Sequence, residues 1–380
     1  MKKSVYIVLI AFLLIFISCK NNLRKKIISL DKINVAVFNG NGASETCVTE
    51  TYEALKIDTG ITPSVISAAE IVSGKIDELD VIIFPGGSGS KELVNLGQIA
   101  AGKVLNFVKS GKGVVGICAG GYLFSTTKDY PSLRLVSATE WDRAHYDKGR
   151  ALVEFELTDE GIRLLPELKN RNAFLQYYDG PVFMPADSGR SGNVNYIEYA
   201  KYVSDIVIHN NYPAGITPGK SFLLGEKVGK GRAIIVAGHP EATPGMRWMV
   251  PRMARWAANK KIVSYNSKWV RPEINRTEIF FKPGLVKKEK EMFWRLTSNS
   301  AEDKINAMQS LFEMRSRPAV RWNLGMLRDS NLKVRTKAAL LLKETEYTAA
   351  VPDLKSALEI ETDSLAKAAI KDAISFLSDF

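Results

Sequence analysis

The chain has 380 residues, of which 46% are hydrophobic and 24% charged, with 28 Gly and 15 Pro. This composition excludes a disordered or collagen-like chain and leaves room for a large core divided between about two domains. Three cysteines, Cys19, Cys47 and Cys118, are too few for a disulfide framework. The net charge is +11, and residues 247–295 carry much of it, with 13 Lys/Arg against 4 Asp/Glu. A basic stripe can face nucleic acid or anionic lipid. Here the charges are scattered among Trp and Pro without a nucleic-acid motif, so no nucleic-acid partner is expected.

The chain opens MKKSVYIVLIAFLLIFISCKNN. Lys2 and Lys3 precede an uninterrupted apolar run, Val5 to Ile17, which is shorter than the roughly 20 residues of a spanning helix. It has the length of a signal h-region. The run ends in Ser18-Cys19, which resembles the lipobox of bacterial lipoproteins. That resemblance implies cleavage after residue 18, lipid on Cys19 and a location outside the cytoplasm, at a membrane of the cell envelope. Cleavage without lipid and an uncleaved anchor are the alternatives. Residues 19–31 then read as a polar tether.

From Lys32 the pattern is α/β. INVAVF (33–38) is a short apolar strand running into the turn signal NGNGAS. A helical pattern over 44–57 follows, then the strand ITPSVIS. LDVIIFPGGSGS is a third strand ending in glycines, Leu93 to Val108 a helix, and GKGVVGICAGG a fourth strand. Strands apolar on both faces alternating with helices predict a parallel sheet covered by helices, with sites at the strands' carboxyl ends. ALVEFELT and VNYIEYAKY read as half-exposed strands. SFLLGEKVGKGRAIIVAGHPEATPG reads as a hairpin ending at His239, and GMRWMVPRMARWAANK as a helix despite Pro251. The α/β domain is expected over 32–263, and a basic linker over 264–297.

Residues 298–380 are Leu- and Ala-rich and glycine-poor. EDKINAMQSL, NLKVRTKAALLL and DSLAKAAIKDAISFL align with Lys304, Arg335 and Lys367 in register, at spacings of 31 and 32 residues. A two-helix unit of this period predicts a helical solenoid. It resembles HEAT repeats, which implies a surface for a protein partner. An ordinary helical bundle is the alternative.

In GICAGG, Cys118 stands where a strand turns sharply into a helix, with glycines where side chains would clash. A thiol there is either a small buried side chain or a nucleophile favoured by the helix N-terminus. The Ala119 N–H can assist an oxyanion. His239 ends another strand and can lie over the same sheet edge, as base. Glu241, two residues on, can fix its tautomer. Taken singly, each is as well explained as a packing or surface residue. Cys47, near a helix start after NGNGASET, reads as structural, with a second reactive thiol as the alternative. His145 and His209 have no partnered motif. Tyr177, Tyr178 and Asp179 are equally pocket wall or core and turn. No close His/Cys pair has ligand spacing, so no metal is expected.

GICAGG, FPGGSG and GHPEA, in that order, are similar to the class I glutamine amidotransferase-like superfamily. The resemblance implies a flavodoxin-like sheet, a Cys118–His239–Glu241 triad, and an oxyanion N–H from Gly86 or Gly87. VAVFNGNGAS, FPGG and YYDGPVF bring the likeness closer to the domain at the N-terminus of biotin–protein ligases, over about 33–258. No synthetase, ATP-site or ligase motif is visible. The expected activity is therefore a lipid-anchored hydrolase cleaving a small amide or peptide, without a cofactor. A non-catalytic ligand- or protein-binding envelope lipoprotein of the same fold is the alternative.

Overall fold

The computed structural model describes residues 32–141, 149–186, 195–206 and 215–379. The signal segment, Cys19, the whole tether, His145 and His209 lie outside the described residues.

Four strands, β1 (Ile33–Phe38), β2 (Ile61–Ile66), β3 (Val81–Phe84) and β4 (Gly113–Ile117), pair in parallel in the order β2-β1-β3-β4. Their apolar runs divide by parity. Val35, Val37, Val81, Ile83, Val115 and Ile117 join the core on one face, while Ala36, Phe38, Ile82, Phe84 and Val114 join the core on the other. This is the period-2 alternation of a sheet buried on both sides. Helix Glu45–Leu55 contributes to the first core. Helices Ala68–Ser73, Gly89–Lys109 and Ala119–Phe124 cover the second. Each fully buried Val, Ile or Phe supplies about 1.5–3 kcal/mol of transfer free energy.

The chain then adds β5 (Ala138–Glu140), β6 (Arg150–Leu157), β7 (Ala173–Tyr178), β8 (Phe183–Pro185), β9 (Ile197–Tyr202), β10 (Ser221–Val228), β11 (Gly231–Val236) and β12 (Ile279–Phe280). β11 lies parallel to β4, but its neighbour β10 is antiparallel, as are β9 and β6 beyond it. The sheet is therefore mixed: the parallel part expected of the first four strands is present, and the expected hairpin, with β9 and β6 beyond it, adds an antiparallel part. The physical reason is the Gly229-Lys230 turn, with Gly229 at φ 61°, which reverses the chain in two residues and permits only an antiparallel neighbour. Pro251 is accommodated because helix Met249–Ala257 holds it in the first turn, where N–H groups have no intrahelical acceptor.

Residues 264–297, expected as a linker, are structured: β12 pairs with β6, and a helix spans Pro283–Arg295. The ion pair of Arg150 with Glu289, 2.6 Å, ties this helix to the sheet. Its apolar residues are few among many charges, which hid the helix in the sequence. Three cations of the basic segment, Arg247, Arg252 and Arg255, are buried. Arg252 pairs with Glu167 at 2.6 Å, and Arg255 with Asp58.

Five further helices follow: Ala301–Glu313, Ala319–Met326, Leu332–Glu344, Val351–Ile360 and Ser364–Ser378. Leu332–Glu344 packs against both Ala301–Glu313 and Ser364–Ser378. Ser300, Asn331 and Asp363 cap alternate helices by accepting backbone N–H bonds. The in-register cations repeat a contact. Lys304 pairs with Asp329 at 2.5 Å and Arg335 with Glu361 at 2.6 Å, each reaching the turn that follows the next helix. Residues from Ile33 onward form one compact unit. No helix of the described residues is long and apolar enough to cross a membrane.

Candidate functional site

The strand order reverses between β1 and β3, and the loops leaving these strands, with the loop leaving β4, bound a cavity of about 600 Å³. Its walls include Ser44, Cys47, Gly87, Ser88, Cys118, Ala119, Tyr178, Asp179, His239 and Arg317. Crevices at the carboxyl ends of strands where the order reverses are the usual ligand sites of such sheets.

Cys118 sits at φ 51°, ψ −100°, a conformation L-residues rarely adopt. The neighbours enforce it. The Cys118 N–H donates to the Val236 carbonyl at 2.9 Å, and the Cys118 carbonyl accepts from Gly121 N–H at 2.9 Å. A Cβ on Gly120 would clash with the Phe84 carbonyl, so the turn requires glycine there. Ala119 opens the short helix, where its N–H is one of the donors that an α-helix leaves without an intrahelical partner. The Cys118 thiol donates to the Tyr178 carbonyl at 3.3 Å.

His239 arrives from the end of β11. Its N–H donates to the Gln176 carbonyl at 2.8 Å, and its carbonyl accepts from the Thr243 hydroxyl at 2.7 Å. Pro240 and Glu241 form a short 3-10 turn. This turn brings the Glu241 Oε1 to 2.7 Å from His239 Nδ1. A carboxylate there accepts the hydrogen bond of Nδ1–H, so Nε2 is the nitrogen that exchanges a proton with the cavity. Nε2 is buried without a hydrogen-bond partner. Burial alone would disfavour the imidazolium. Glu241, then Cys118 and Cys47, outweigh it and hold His239 well above the usual histidine range. Burial would raise Glu241 too, but His239 and Arg317 bring it below the usual carboxylate range.

Cys118, His239, Gly87, Ala119, Tyr178 and Asp179 thus line one cavity, with Glu241 behind His239 on Nδ1. Gly86 has a different place. It lies under the imidazole, where a Cβ would stand 2.5 Å from His239 Cε1 and 2.9 Å from Cys47 Sγ. Tyr178 meets the imidazole edge to face, with centroids 5.7 Å apart. Tyr177 is fully buried, and its hydroxyl donates to the Gly180 carbonyl at 2.6 Å.

Two further residues join the site, and of these Arg317 carried no functional signal in the sequence. Cys47, given a structural role there, lines the same cavity. Arg317 comes from the turn before helix Ala319–Met326. Its Nη2 donates to Cys47 Sγ at 3.3 Å, pairs with Glu50, and lies 3.7 Å from Glu241 Oε1. Donor atoms of Cys47, His239 and Glu241 all lie within 4.8 Å of one another, a spacing a soft cation could use. The Arg317 guanidinium already supplies positive charge at that position. A local misfit could have pointed to Arg317: a cation just before a helix N-terminus is disfavoured by the dipole and needs anionic partners elsewhere.

Comparison with known proteins bears on the first part of the chain. Residues 33–133 match the biotin–protein ligase N-terminal family model. The biotin–protein ligase of Schizosaccharomyces pombe is 22% identical over 247 residues, which are 55% of this chain and 33% of that protein. The chain therefore spans about a third of the length of this curated relative. Similar solved structures include a ThuA-like protein from Parabacteroides merdae, 13% identical, covering 62% of this chain and 93% of that one at a TM-score of 0.42. A beta-galactosidase from Bacillus circulans sp. alkalophilus is 17% identical, covering 61% of this chain and 32% of that one at a TM-score of 0.36. Residues 33–133 hold Cys47, Gly86, Gly87, Cys118 and Ala119, and His239, Glu241 and Arg317 lie beyond the family-model match.

Proposed function

We propose that the protein is a cysteine hydrolase of the class I glutamine amidotransferase-like type, acting on an amide or peptide through Cys118, His239 and Glu241. The observation that carries this reading is His239 Nε2, buried at the cavity without a partner while Nδ1 is fixed by Glu241. In this reading the Cys118 proton rests on His239 Nε2, in the imidazolium state that Glu241 favours, and the Cys118 thiolate attacks the amide carbon. The S–C bond forms, the C–N bond breaks, and the amine leaves with the proton from His239. Water, deprotonated by the same imidazole, then cleaves the thioester to the acid and free thiol. The N–H groups of Ala119 and the Gly86-Gly87 loop are the proposed oxyanion donors. The order β2-β1-β3-β4-β11 supports a flavodoxin-like sheet, and the recurring Lys304–Asp329 and Arg335–Glu361 contacts support HEAT-like repeats. Lipid on Cys19 would place the enzyme at the outer side of a membrane in the cell envelope, with the repeats free to bind a protein partner.

One observation favours the second reading, a ligand-binding envelope protein: the Cys118 thiol donates to the Tyr178 carbonyl at 3.3 Å. Labelling with a thiol probe and hydrolysis of an amide and peptide library separate the two. The hydrolase reading expects turnover that Cys118→Ala abolishes, and Cys118 labelling that His239→Ala slows ~100-fold or more. Labelling of Cys118 at the rate of a free thiol, insensitive to His239→Ala, together with no turnover, would leave only the binding role.

A further inference from the structure

We propose that Cys47 is a second nucleophilic thiol of the cavity, held between the Arg317 guanidinium and the same imidazole that serves Cys118, and that it takes small neutral electrophiles. This goes beyond the hydrolase reading and does not depend on it. Cys47 occupies the first turn of helix Glu45–Leu55, whose N-cap Ser44 makes no side-chain cap bond. The helix dipole there favours an anion. Arg317 Nη2 donates to its sulfur at 3.3 Å from one side. The Gly86 site marks how close the other side is: a Cβ there would touch both Cys47 Sγ, at 2.9 Å, and His239 Cε1, at 2.5 Å. His239 Nε2 is buried and without a partner in the same cavity. The thiol is 3% exposed, comparable with the 5% of Cys118, and lines the same walls. A structural cysteine needs neither the cation nor the cavity.

The charges around Cys47 are of both signs. Arg317 and His239 favour the thiolate, Glu241 opposes it, and Glu50 draws on Arg317 from its other side. Burial opposes ionisation, but Arg317 and then His239 prevail and bring Cys47 below the usual thiol range. Cys47 is thereby reactive near neutral pH because of a residue that the C-terminal helices supply.

The test uses the full chain carrying Cys118→Ala and iodoacetamide as the probe. The Cys47 sulfur attacks the methylene carbon, the S–C bond forms, and iodide leaves. Alkylation of Cys47, located by mass spectrometry, is followed from pH 5 to 10. The expected rate profile has its midpoint below the ~8.5 of a free cysteine. Arg317→Met raises that midpoint by about one unit and slows labelling ~tenfold at pH 7, while Arg317→Lys restores part of the shift. Where Arg317→Met does not fold, Glu50→Gln serves: freeing the guanidinium lowers the midpoint. A Cys47 that labels at or above the free-thiol midpoint, stays unlabelled in the folded protein, or keeps its midpoint in the folded Arg317 or Glu50 variants overturns the proposal. Because Cys118 is absent throughout, loss of hydrolysis and failure of this inference are separate outcomes.

Discussion

Gly86→Ala tests how tightly the imidazole is held. The added Cβ would stand 2.5 Å from His239 Cε1, 2.9 Å from Cys47 Sγ and 3.3 Å from His239 Nδ1. Carbon atoms in contact keep about 3.5–4.0 Å, so the ring must move by roughly 1 Å. It has no easy direction in which to go. Its backbone is bonded at 2.8 Å to the Gln176 carbonyl, and the Nδ1 contact to Glu241 is 2.7 Å. Glu241 is itself buried beside Arg317. Overpacking of this kind costs about 1–3 kcal/mol. A displacement of roughly 1 Å in a base costs up to ~100-fold in rate. The assays are thermal melting and the rate of Cys118 labelling by a thiol probe. Gly102→Ala is the control, since a Cβ there meets nothing within 4 Å, and it should be neutral or stabilising by about 0.5–1 kcal/mol. If Gly86→Ala melts and labels like the parent, the imidazole is not confined as described.

Two further variants read the buried charges. Glu92 is fully buried with no partner for either carboxylate oxygen, and burial, with Cys47 nearby, holds its carboxyl well above the usual range. Its folded value exceeds its unfolded one, so its contribution is whole below about pH 4.3 and is lost as pH rises, at up to ~1.4 kcal/mol per unit. Glu92→Gln should therefore raise the melting temperature at pH 7 and leave it unchanged at pH 4; an identical pH slope in both proteins would refute this. Asp58 accepts from Arg255 Nη2 at 2.7 Å and from the Tyr265 hydroxyl at 3.0 Å. Asp58→Ala strands a buried guanidinium and should cost about 3–5 kcal/mol in urea unfolding, whereas a loss under ~1 kcal/mol would show that water reaches the site.

The parallel half of the sheet was legible because its signals are local. Runs such as VIIF and GVVGI ended in glycines, and these periods and breaks survive without tertiary context. The gathering of Cys118, His239 and Glu241 was legible from three short segments, since each stands at a strand end and strand ends share an edge. The antiparallel half was only partly so, because β6 and β9 have edge-like composition and their neighbours are set by long-range pairing. Gly86 illustrates a different limit: a glycine in a loop signals a close approach, but not to which atom. Arg317 was illegible for a plainer reason. Its partners Glu50, Cys47 and Glu241 lie 267, 270 and 76 residues away in sequence, and no spacing rule connects a turn between two C-terminal helices to a helix start in another region.

That long reach bears on what the C-terminal helices are for. Glu50 and Glu241 are buried near one another, and two ionised carboxylates there would repel. Arg317 lies against both, and it offsets that repulsion while facing the Cys47 sulfur. The same interface carries other polar bonds. Gln176 Nε2 donates to the Arg315 carbonyl at 2.9 Å, the Gly245 N–H to Glu346 Oε1 at 2.9 Å, and Arg247 Nη2 to Thr348 Oγ1 at 3.0 Å. Gln176 and Gly245 lie on either side of the His239–Glu241 turn, so the helices brace the segment that carries the base. Removing them would expose the interface, and it would also leave Glu241 beside an unneutralised Glu50. Glu241 would then be a weaker anion, and the Nδ1 proton of His239 would lose part of its acceptor. A protein with only the α/β part and this set of acids would need another cation in the place of Arg317.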